Sequence, residues 1–227
     1  MNFVNNASEI MLDIDGTIKD LVKENTNALI YTMKIMNRVD LKLRGKFVLW
    51  INKINMYLVK TGFLPTNGLM QRILLLFYSI LLLKKYNKFR NIYFDEYNKK
   101  DIFFDCVDKK MKELYANRKS LYLVTKNIQN ENILKYESLN MISRLVVETK
   151  KRIKYYTYRD LIEELDVAKE NIIIVGDNFW DDVLPALILD LNVIWCNMYN
   201  CNLKKIAIKI LGSICRKISY CNSIKEI

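Results

Sequence analysis

Two aspartates stand at the end of a short apolar segment near the start of the chain. Asp13 and Asp15 lie in the run MLDIDGTI, with Gly16 and Thr17 directly after them. Residues two apart in a strand point to the same side of a sheet, so we expect both carboxylates on one side. Because neighbouring carboxylates repel each other as anions, one must hold a proton or both must share a cation. The spacing predicts an acid–base or metal site; the alternative is an Asp-rich turn that caps the next helix.

A second acidic group follows another apolar segment late in the chain. Residues 172–175 run into Gly176 and Asp177, and Asp181 and Asp182 come one helical turn later. Parallel α/β sheets bind ligands at the carboxyl ends of their strands. The repeated order of apolar strand, glycine and acid predicts that both acidic groups meet at one sheet edge.

Polar and basic residues occupy two further positions of the same kind. Residues 121–124 form an apolar segment that ends in Thr125 and Asn127, a hydroxyl and an amide. A basic cluster precedes a predicted helix: Lys150, Lys151, Arg152 and Lys154. The simplest alternative for most of this cluster is a solvated basic surface.

The composition excludes several classes of chemistry. Histidine is absent, which rules out Ser–His and Cys–His triads, His-ligated metal sites and imidazole acid–base catalysis. The five cysteines have irregular spacing and no CxxC pair, so they predict free thiols in a reducing compartment. The apolar run at 73–83 is too short for a membrane span. With no signal peptide visible, we expect a cytoplasmic protein without a transmembrane segment.

Alternating apolar strands and amphipathic helices predict a doubly wound parallel α/β core. Continuous apolar runs are typical of strands covered by helices on both faces. The predicted strands are 10–14, 121–125, 172–175 and 191–195, with 145–147 as a fifth candidate. The predicted helices between them are 130–141 and 158–165, the second beginning with a capping box at Thr157 and Asp160. Such alternation gives right-handed βαβ units.

The long segment between the first two strands has a different pattern. Apolar residues there recur at helical spacing, which predicts helices over 21–36, 47–59, 69–85 and 102–115. We therefore expect a core of residues 1–17 and 119–227 and a helical insert of residues 18–118. The apolar residues 74–83 are expected to be core, with a dimer face or a substrate pocket as alternatives. Residues 203–218 predict a basic amphipathic helix that packs on the sheet, with a membrane-surface or partner helix as the alternative.

Taken in chain order, the two acidic segments, the strand ending in Thr125 and the basic cluster resemble the four motifs of the haloacid dehalogenase superfamily of hydrolases. The matching elements are Asp13–Thr17 (DIDGT), Thr125, the lysines before the helix, and Gly176–Asp181 (GDNFWD). The resemblance implies a Rossmann-like core, and a helical cap between the first two motifs. This sequence departs from the family pattern in the third motif, because its segment TKKRIKYYTY lacks the Lys-Pro pair that is common there.

The resemblance also implies roles for the acidic residues. Asp13 matches the nucleophile that forms an aspartyl-phosphate, and Asp15 matches the general acid–base. The family's Mg²⁺ ligands correspond to Asp13, the backbone carbonyl of Asp15, and Asp177. Asp181 would orient a water or the lysine beside this site, and Asp182 is the weaker candidate for that place.

The remaining implied roles concern phosphate binding. Thr125 matches the phosphate-binding hydroxyl, and Asn127 and Gly16 are further phosphate contacts. The lysine that offsets charge on Asp13 is Lys154 or Lys151, with Lys154 favoured because it lies nearer the predicted helix start.

An acid at position 15 favours a phosphatase over a dehalogenase, because a departing alkoxide needs a proton and a halide does not. The predicted function is Mg²⁺-dependent hydrolysis of a small phosphorylated metabolite, and the net charge of +11 would attract such anions. The alternatives are a nucleic-acid-binding or regulatory protein without turnover, and a dehalogenase; nucleic acid is the less favoured partner. The sequence leaves the oligomeric state and the identity of the substrate open.

Overall fold

A parallel sheet forms the centre of the fold. The computed structural model describes residues 3–36, 43–63, 68–99, 101–105, 107–127, 141–148 and 154–227. The strands found there lie in the order β3-β2-β1-β4-β5-β6, and every neighbouring pair is parallel. Their bounds are β1 Glu9–Asp13, β2 Ser120–Thr125, β3 Arg144–Val147, β4 Ile172–Gly176, β5 Asn192–Cys196 and β6 Ile218–Cys221. This confirms the predicted doubly wound α/β class.

Helices cover both faces of the sheet. Ile10 and Leu12 of β1 are buried on one face with helix α6 (Val107–Ala116), whereas Met11 is buried on the other. The second face is covered by α7 (Lys154–Leu165), α8 (Leu184–Ile188) and α9 (Asn202–Ile214). Burial on both faces explains why the strand sequences read as continuous apolar runs.

A helical cap follows β1. Its helices are α2 (Leu21–Met36), α3 (Arg44–Lys60), α4 (Gly68–Leu81) and α5 (Tyr86–Tyr97), while the short α1 (Phe3–Asn6) precedes β1. All four cap helices contribute side chains to one separate apolar cluster. This finding fits the helical insert that the sequence predicted, although α5 was missed because its buried residues, Phe89 and Tyr93, are aromatic and stand among amide and charged side chains.

Helix α6 belongs with the sheet rather than with the cap helices. Val107, Met111 and Leu114 lie in the same buried cluster as β1 and β2. The predicted insert, residues 18–118, included this helix because its apolar spacing resembles that of the cap helices. Spacing identifies an apolar face but does not say what covers it.

Two further differences concern the carboxyl-terminal half. Helix α7 begins at Lys154, so Thr157 is not its cap; the Thr157 hydroxyl instead donates to Glu148 at 2.7 Å. Strand β6 was missed, because its four residues were partly absorbed into the predicted helix 203–218. The predicted helix over 130–141 lies almost wholly outside the described residues.

Two extended segments connect the cap to the core and pair with each other. Lys19 forms an antiparallel bridge with Phe103, and the Phe104 N–H donates to the Ile18 carbonyl at 3.0 Å. The connection is therefore a short two-stranded ribbon beside the end of β1. Within the described parts of the chain, no helix has the length and apolarity required to cross a membrane.

Candidate active site

The parallel register brings the predicted site residues to one edge of the sheet. Asp13 of β1 is paired with Val124 of β2, so Thr125 lies one residue beyond it. Leu12 is paired with Val175 of β4, so Asp177 also lies beyond the strand end. The two acidic groups and the hydroxyl therefore converge at the carboxyl edge, where such sheets bind ligands.

Asp13 and Lys154 form a buried ion pair. Asp13 lies on the same face of β1 as Met11, and α7 covers that face, so Lys154 in its first turn reaches the Asp13 carboxylate. Both side chains are less than a tenth exposed. Of the two predicted lysines, Lys154 occupies this place, whereas Lys151 lies outside the described residues.

Lys154 also binds Asp182, at 2.8 Å. The Asp182 carboxylate accepts further hydrogen bonds from the Tyr158 hydroxyl and from the Asn178 backbone N–H, both at 3.0 Å. This side chain is fully buried, and these three partners supply the hydrogen bonds that water would otherwise make. The sequence favoured Asp181 for the position beside the lysine, and the structure places Asp182 there.

A π-helical turn over Phe179–Val183 explains why Asp182, and not Asp181, lies beside Lys154. In a π-turn the hydrogen bond spans five residues, as from the Val183 N–H to the Asn178 carbonyl at 3.2 Å. The wider turn directs the fifth residue after Asp177 into the site. Asp181 faces Lys126 instead, at 2.8 Å. The sequence favoured Asp181 because the GDxxxD spacing was interpreted as an ordinary helical turn.

Two glycines allow these carboxylates to approach the backbone. A Cβ on Gly176 would lie 2.3 Å from the Asp182 carboxyl carbon. A Cβ on Gly16, where φ is +89°, would lie 2.6 Å from an oxygen of Asp177. Both contacts are shorter than any side chain tolerates. The sequence predicted a phosphate contact at Gly16. The structure gives a further reason for glycine at this position, because the missing side chain leaves room for the Asp177 carboxylate.

The acidic residues fit a divalent cation. Carboxylate oxygens of Asp13, Asp177 and Asp182 all lie within 4.8 Å of one another. Burial raises the pKa of Asp13 well above its ordinary range, despite the opposing effect of Lys154. Burial likewise raises the pKa of Asp177 to about 6, although Lys204 opposes the shift. Lys154 and Lys204 therefore offset the negative charge of the three carboxylates only in part, and buried oxygen ligands of this kind suit Mg²⁺.

Asp15 occupies a different environment from Asp13. Strand β1 ends at Asp13, so the strand alternation that predicted a shared side does not continue to Asp15. The Asp15 carboxylate faces Lys19 at 3.9 Å, and Lys19 also contacts Glu24 at 3.6 Å and Asp101 at 2.6 Å. Lys19 is buried and was not singled out in the sequence. Its position on the connecting ribbon joins the site to the cap.

Thr125 and Asn127 lie on the second strand's end. Thr125 is buried, and its hydroxyl accepts a hydrogen bond from the Asn127 backbone N–H at 3.0 Å. The sheet register thus places Thr125 at the same sheet edge as Asp13, as the sequence predicted from strand ends, and the hydrogen bond keeps the Asn127 backbone beside Thr125. Their role in phosphate binding stays a prediction.

Lys204 is a buried cation that sequence reasoning missed. It comes from the first turn of α9, and its ammonium donates to the backbone carbonyl of Asp177. It also lies 3.9 Å from the Asp177 carboxylate and 5.8 Å from the Trp195 ring centroid. The alternation of Lys with Ile and Leu predicted a basic amphipathic helix that packs on the sheet, and nothing in that pattern distinguishes the buried Lys204 from the exposed Lys205 and Lys209.

The cap contacts this site through the segment after α3. The Gly62 carbonyl accepts from the Phe179 N–H at 2.8 Å, and the Phe63 carbonyl accepts from the Trp180 indole at 2.7 Å. The Phe63 ring packs against Phe179 and Trp195, with centroids 5.6 and 5.4 Å apart. Main-chain and aromatic contacts thus hold the cap against the turn that carries Asp181 and Asp182.

Replacing Gly62 with alanine is expected to loosen this contact. The residue has a φ of +70°, and a Cβ there would lie 2.2 Å from the Asp177 carbonyl oxygen. We expect the free energy of unfolding to fall by about 1 kcal/mol or more. We also expect tryptophan emission to shift to the red, as Trp180 and Trp195 lose their cap neighbours. Urea unfolding followed by fluorescence measures both.

Gly212→Ala is the matched control. A Cβ there meets its nearest neighbour at 3.6 Å, an ordinary contact, in the last turn of α9. It should raise stability by roughly 0.5–1 kcal/mol and leave the emission unchanged. Equal behaviour of the two variants would show that the Gly62 contact does not hold the cap.

Solved structures of other proteins share this architecture. YfnB from Bacillus subtilis, described as a HAD-hydrolase bound to magnesium, is similar at 17% identity and a TM-score of 0.64, over 85% of this chain and 87% of that one. A predicted phosphoglycolate phosphatase from Haemophilus somnus is similar at 16% identity and a TM-score of 0.61, over 84% and 85%. A haloacid dehalogenase-like family hydrolase from Xanthomonas campestris is similar at 14% identity and a TM-score of 0.58, over 92% and 93%.

Sequence comparison adds no relative, since neither a protein-family model nor a curated protein matches the chain. The similarity to these solved structures nevertheless extends over both the sheet and the inserted helices. The chain therefore has the fold of the haloacid dehalogenase-like hydrolases, with a Rossmann-like core and a helical cap inserted after its first strand.

Proposed function

We propose that this chain is a phosphatase that hydrolyses a small phosphate monoester through an aspartyl-phosphate on Asp13. The observation that carries the proposal is the Asp13–Lys154–Asp182 arrangement at the carboxyl edge of the sheet. It combines a buried nucleophile, a fixed cation and a second carboxylate that holds the cation in place. Phosphatases and hydrolases among the similar solved structures support it.

In the first half of the reaction, a carboxylate oxygen of Asp13 attacks phosphorus. The new bond joins Asp13 to the phosphoryl group, and the bond from phosphorus to the ester oxygen breaks. Lys154 lies on the Asp13 carboxylate, so its positive charge also reaches the phosphoryl oxygens bound there. Because Asp182 and Tyr158 hold their positions by hydrogen bonds, the lysine is oriented before substrate arrives.

Asp15 serves as the acid and then as the base. It gives a proton to the departing ester oxygen, which leaves as an alcohol, and later takes a proton from the water that attacks the aspartyl-phosphate. Its side chain is about a fifth exposed and lies beside the connecting ribbon, toward the cap. This position allows it to contact a leaving group held under the cap.

A divalent cation, with Mg²⁺ as the proposed metal, would be held by Asp13 and Asp177 together with the backbone carbonyl of Asp15. When bound, such an ion stabilises negative charge on the transferring phosphoryl group. Asp182 lies within the same acidic group and adds negative charge to it. Thr125 and Asn127 would bind phosphoryl oxygens at the neighbouring strand end.

Phosphate release from p-nitrophenyl phosphate tests the proposal. We expect turnover with Mg²⁺ and a loss of about 10²-fold or more after treatment with EDTA, because the cation stabilises transition-state charge. Activity should return when Mg²⁺ is added back. If this ester is not cleaved, a panel of phosphorylated metabolites follows, since the docked cap limits which leaving groups enter. Turnover unaffected by EDTA would contradict the metal assignment.

A further inference from the structure

The cap carries an exposed apolar face on helix α3. Phe47, Trp50, Ile54 and Tyr57 recur at spacings of three and four, so they form one stripe along the helix. These side chains are 44–56% exposed, and the Phe47 and Trp50 rings stack with centroids 5.8 Å apart. The opposite stripe of α3 is buried and packs into the cap cluster through Val48. The outer stripe is therefore not needed for the cap's own core.

The neighbouring helix α4 repeats the pattern. Ile73, Leu76 and Ile80 are exposed, while Leu75 and Tyr78 are buried in the cap cluster. Large exposed apolar surfaces are uncommon on isolated soluble domains and mark sites of interaction. The structure thus assigns the sequence run 74–83 partly to core and partly to surface.

The charge on this part of the cap has one sign. Residues 41–94 contain ten Lys and Arg and no Asp or Glu. The chain has 36 basic and 25 acidic residues in all, so the remaining 173 residues are almost neutral, with 26 basic and 25 acidic. Lys46 and Lys53 are exposed on α3 itself. Nearly the whole net charge of +11 therefore lies in the segment that also exposes the apolar stripes.

We propose that the exposed stripes of α3 and α4 bind the surface of a membrane that contains anionic lipids. Basic side chains would lie among the anionic headgroups, and the aliphatic and aromatic side chains would enter the boundary with the acyl chains. Trp50 and Tyr57 suit that boundary, because each has an apolar ring and a polar atom. The proposal is independent of the proposed phosphatase activity.

Other partners fit these observations less well. A second copy that met this face with its own would bring basic residues together with no acidic residue to offset them. A nucleic acid would satisfy the lysines but would leave Ile54, Ile73 and Ile80 uncovered. An anionic bilayer satisfies both the charge and the apolar side chains.

Vesicle flotation of the full chain tests the proposal. Wild type should bind phosphatidylcholine vesicles that contain phosphatidylserine at least about tenfold more tightly than vesicles of phosphatidylcholine alone, and added salt should weaken the binding. The charge reversal Lys46→Glu with Lys53→Glu should reduce binding by about tenfold or more. The polar pair Trp50→Gln with Ile54→Gln should do the same, because it removes the inserted side chains.

The matched control is the pair Tyr115→Gln with Ile188→Gln, two side chains of similar exposure on the sheet core. This variant should bind vesicles like wild type, and circular dichroism checks that all variants fold. Absence of binding by wild type, or equal binding by all variants, overturns the proposal. So does concentration-dependent dimerisation that Trp50→Gln with Ile54→Gln abolishes, or nucleic-acid binding that only the charge reversal abolishes.

Discussion

The Asp13→Asn variant is expected to lose phosphate release by about 10⁴-fold or more, because the amide cannot form the covalent intermediate. Its stability is expected to hold or to rise in the absence of Mg²⁺. Burial and the neighbouring carboxylates raise the pKa of Asp13 in the folded protein, so its ionised form is disfavoured there. Removing that charge leaves Lys154 with Asp182 as its partner. Initial rates and urea unfolding separate the two effects.

Asp108→Asn provides the matched control for this prediction. Asp108 lies on the exposed surface of α6, where it pairs with Lys112 at 3.3 Å. The same chemical change there should leave the rate at the wild-type level. Wild-type turnover in Asp13→Asn would remove the nucleophile assignment and with it the proposed mechanism. A rate lost together with the fold would point to a structural role for Asp13.

The fold was largely predictable because its strands are buried on both faces. Short β-branched segments such as 172–175 favour a covered strand over a helix, and Gly-Asp directly after a strand marks the carboxyl edge. Helix α5 and strand β6 were not predicted, because their local sequences lack such a clear pattern. The apolar residues of α5 are mostly aromatic and stand among amide and charged side chains, and β6 has only four residues. The places of both depend on packing with distant segments, which a local pattern does not report.

The site was predictable as far as residues lie at strand ends. Asp13, Thr125 and Asp177 follow directly from register, because parallel strands end together. The choice between Asp181 and Asp182 required the π-turn, whose wider hydrogen bonds no spacing rule anticipates. Lys204 required knowledge of which side of α9 faces the sheet. The direction of a side chain after a turn, or on a helix, therefore could not be predicted from the sequence alone.

The Lys154→Met variant is expected to lose both turnover and stability. Lys154 is the cation between Asp13 and Asp182, and all three side chains are buried. Without it, two carboxylates remain in a site with little water, and loss of one partner of such a pair costs about 3–5 kcal/mol. The free energy of unfolding from urea titration at neutral pH measures this change.

The pH dependence of this loss tests its electrostatic cause. A carboxyl group whose pKa is raised by folding binds protons more tightly in the folded state, so its penalty grows as pH rises through that pKa. Asp177, with a pKa of about 6, and Asp13 both shift in this direction. Lowering the pH from 7 toward 5 should therefore restore part of the stability of Lys154→Met. Added Mg²⁺ should restore part of it at neutral pH, by supplying a positive charge to the same carboxylates.

The Lys126→Met variant tests whether burial of the lysine, and not only its charge, determines the loss of stability. Lys126 also forms an ion pair with an acid of the site, Asp181, but the Lys126 side chain is 31% exposed. Because water reaches the Lys126 end of this pair, the variant should lose less stability than Lys154→Met and show a weaker pH dependence. Adding Asp182→Asn to Lys154→Met should recover stability without recovering turnover, because it removes a repelling charge but returns no cation to Asp13. Equal losses in Lys126→Met and Lys154→Met would mean that burial of the Asp13–Lys154–Asp182 group does not govern the stability of the site. Recovery of turnover in the double variant would mean that the lysine acts only by neutralising Asp182.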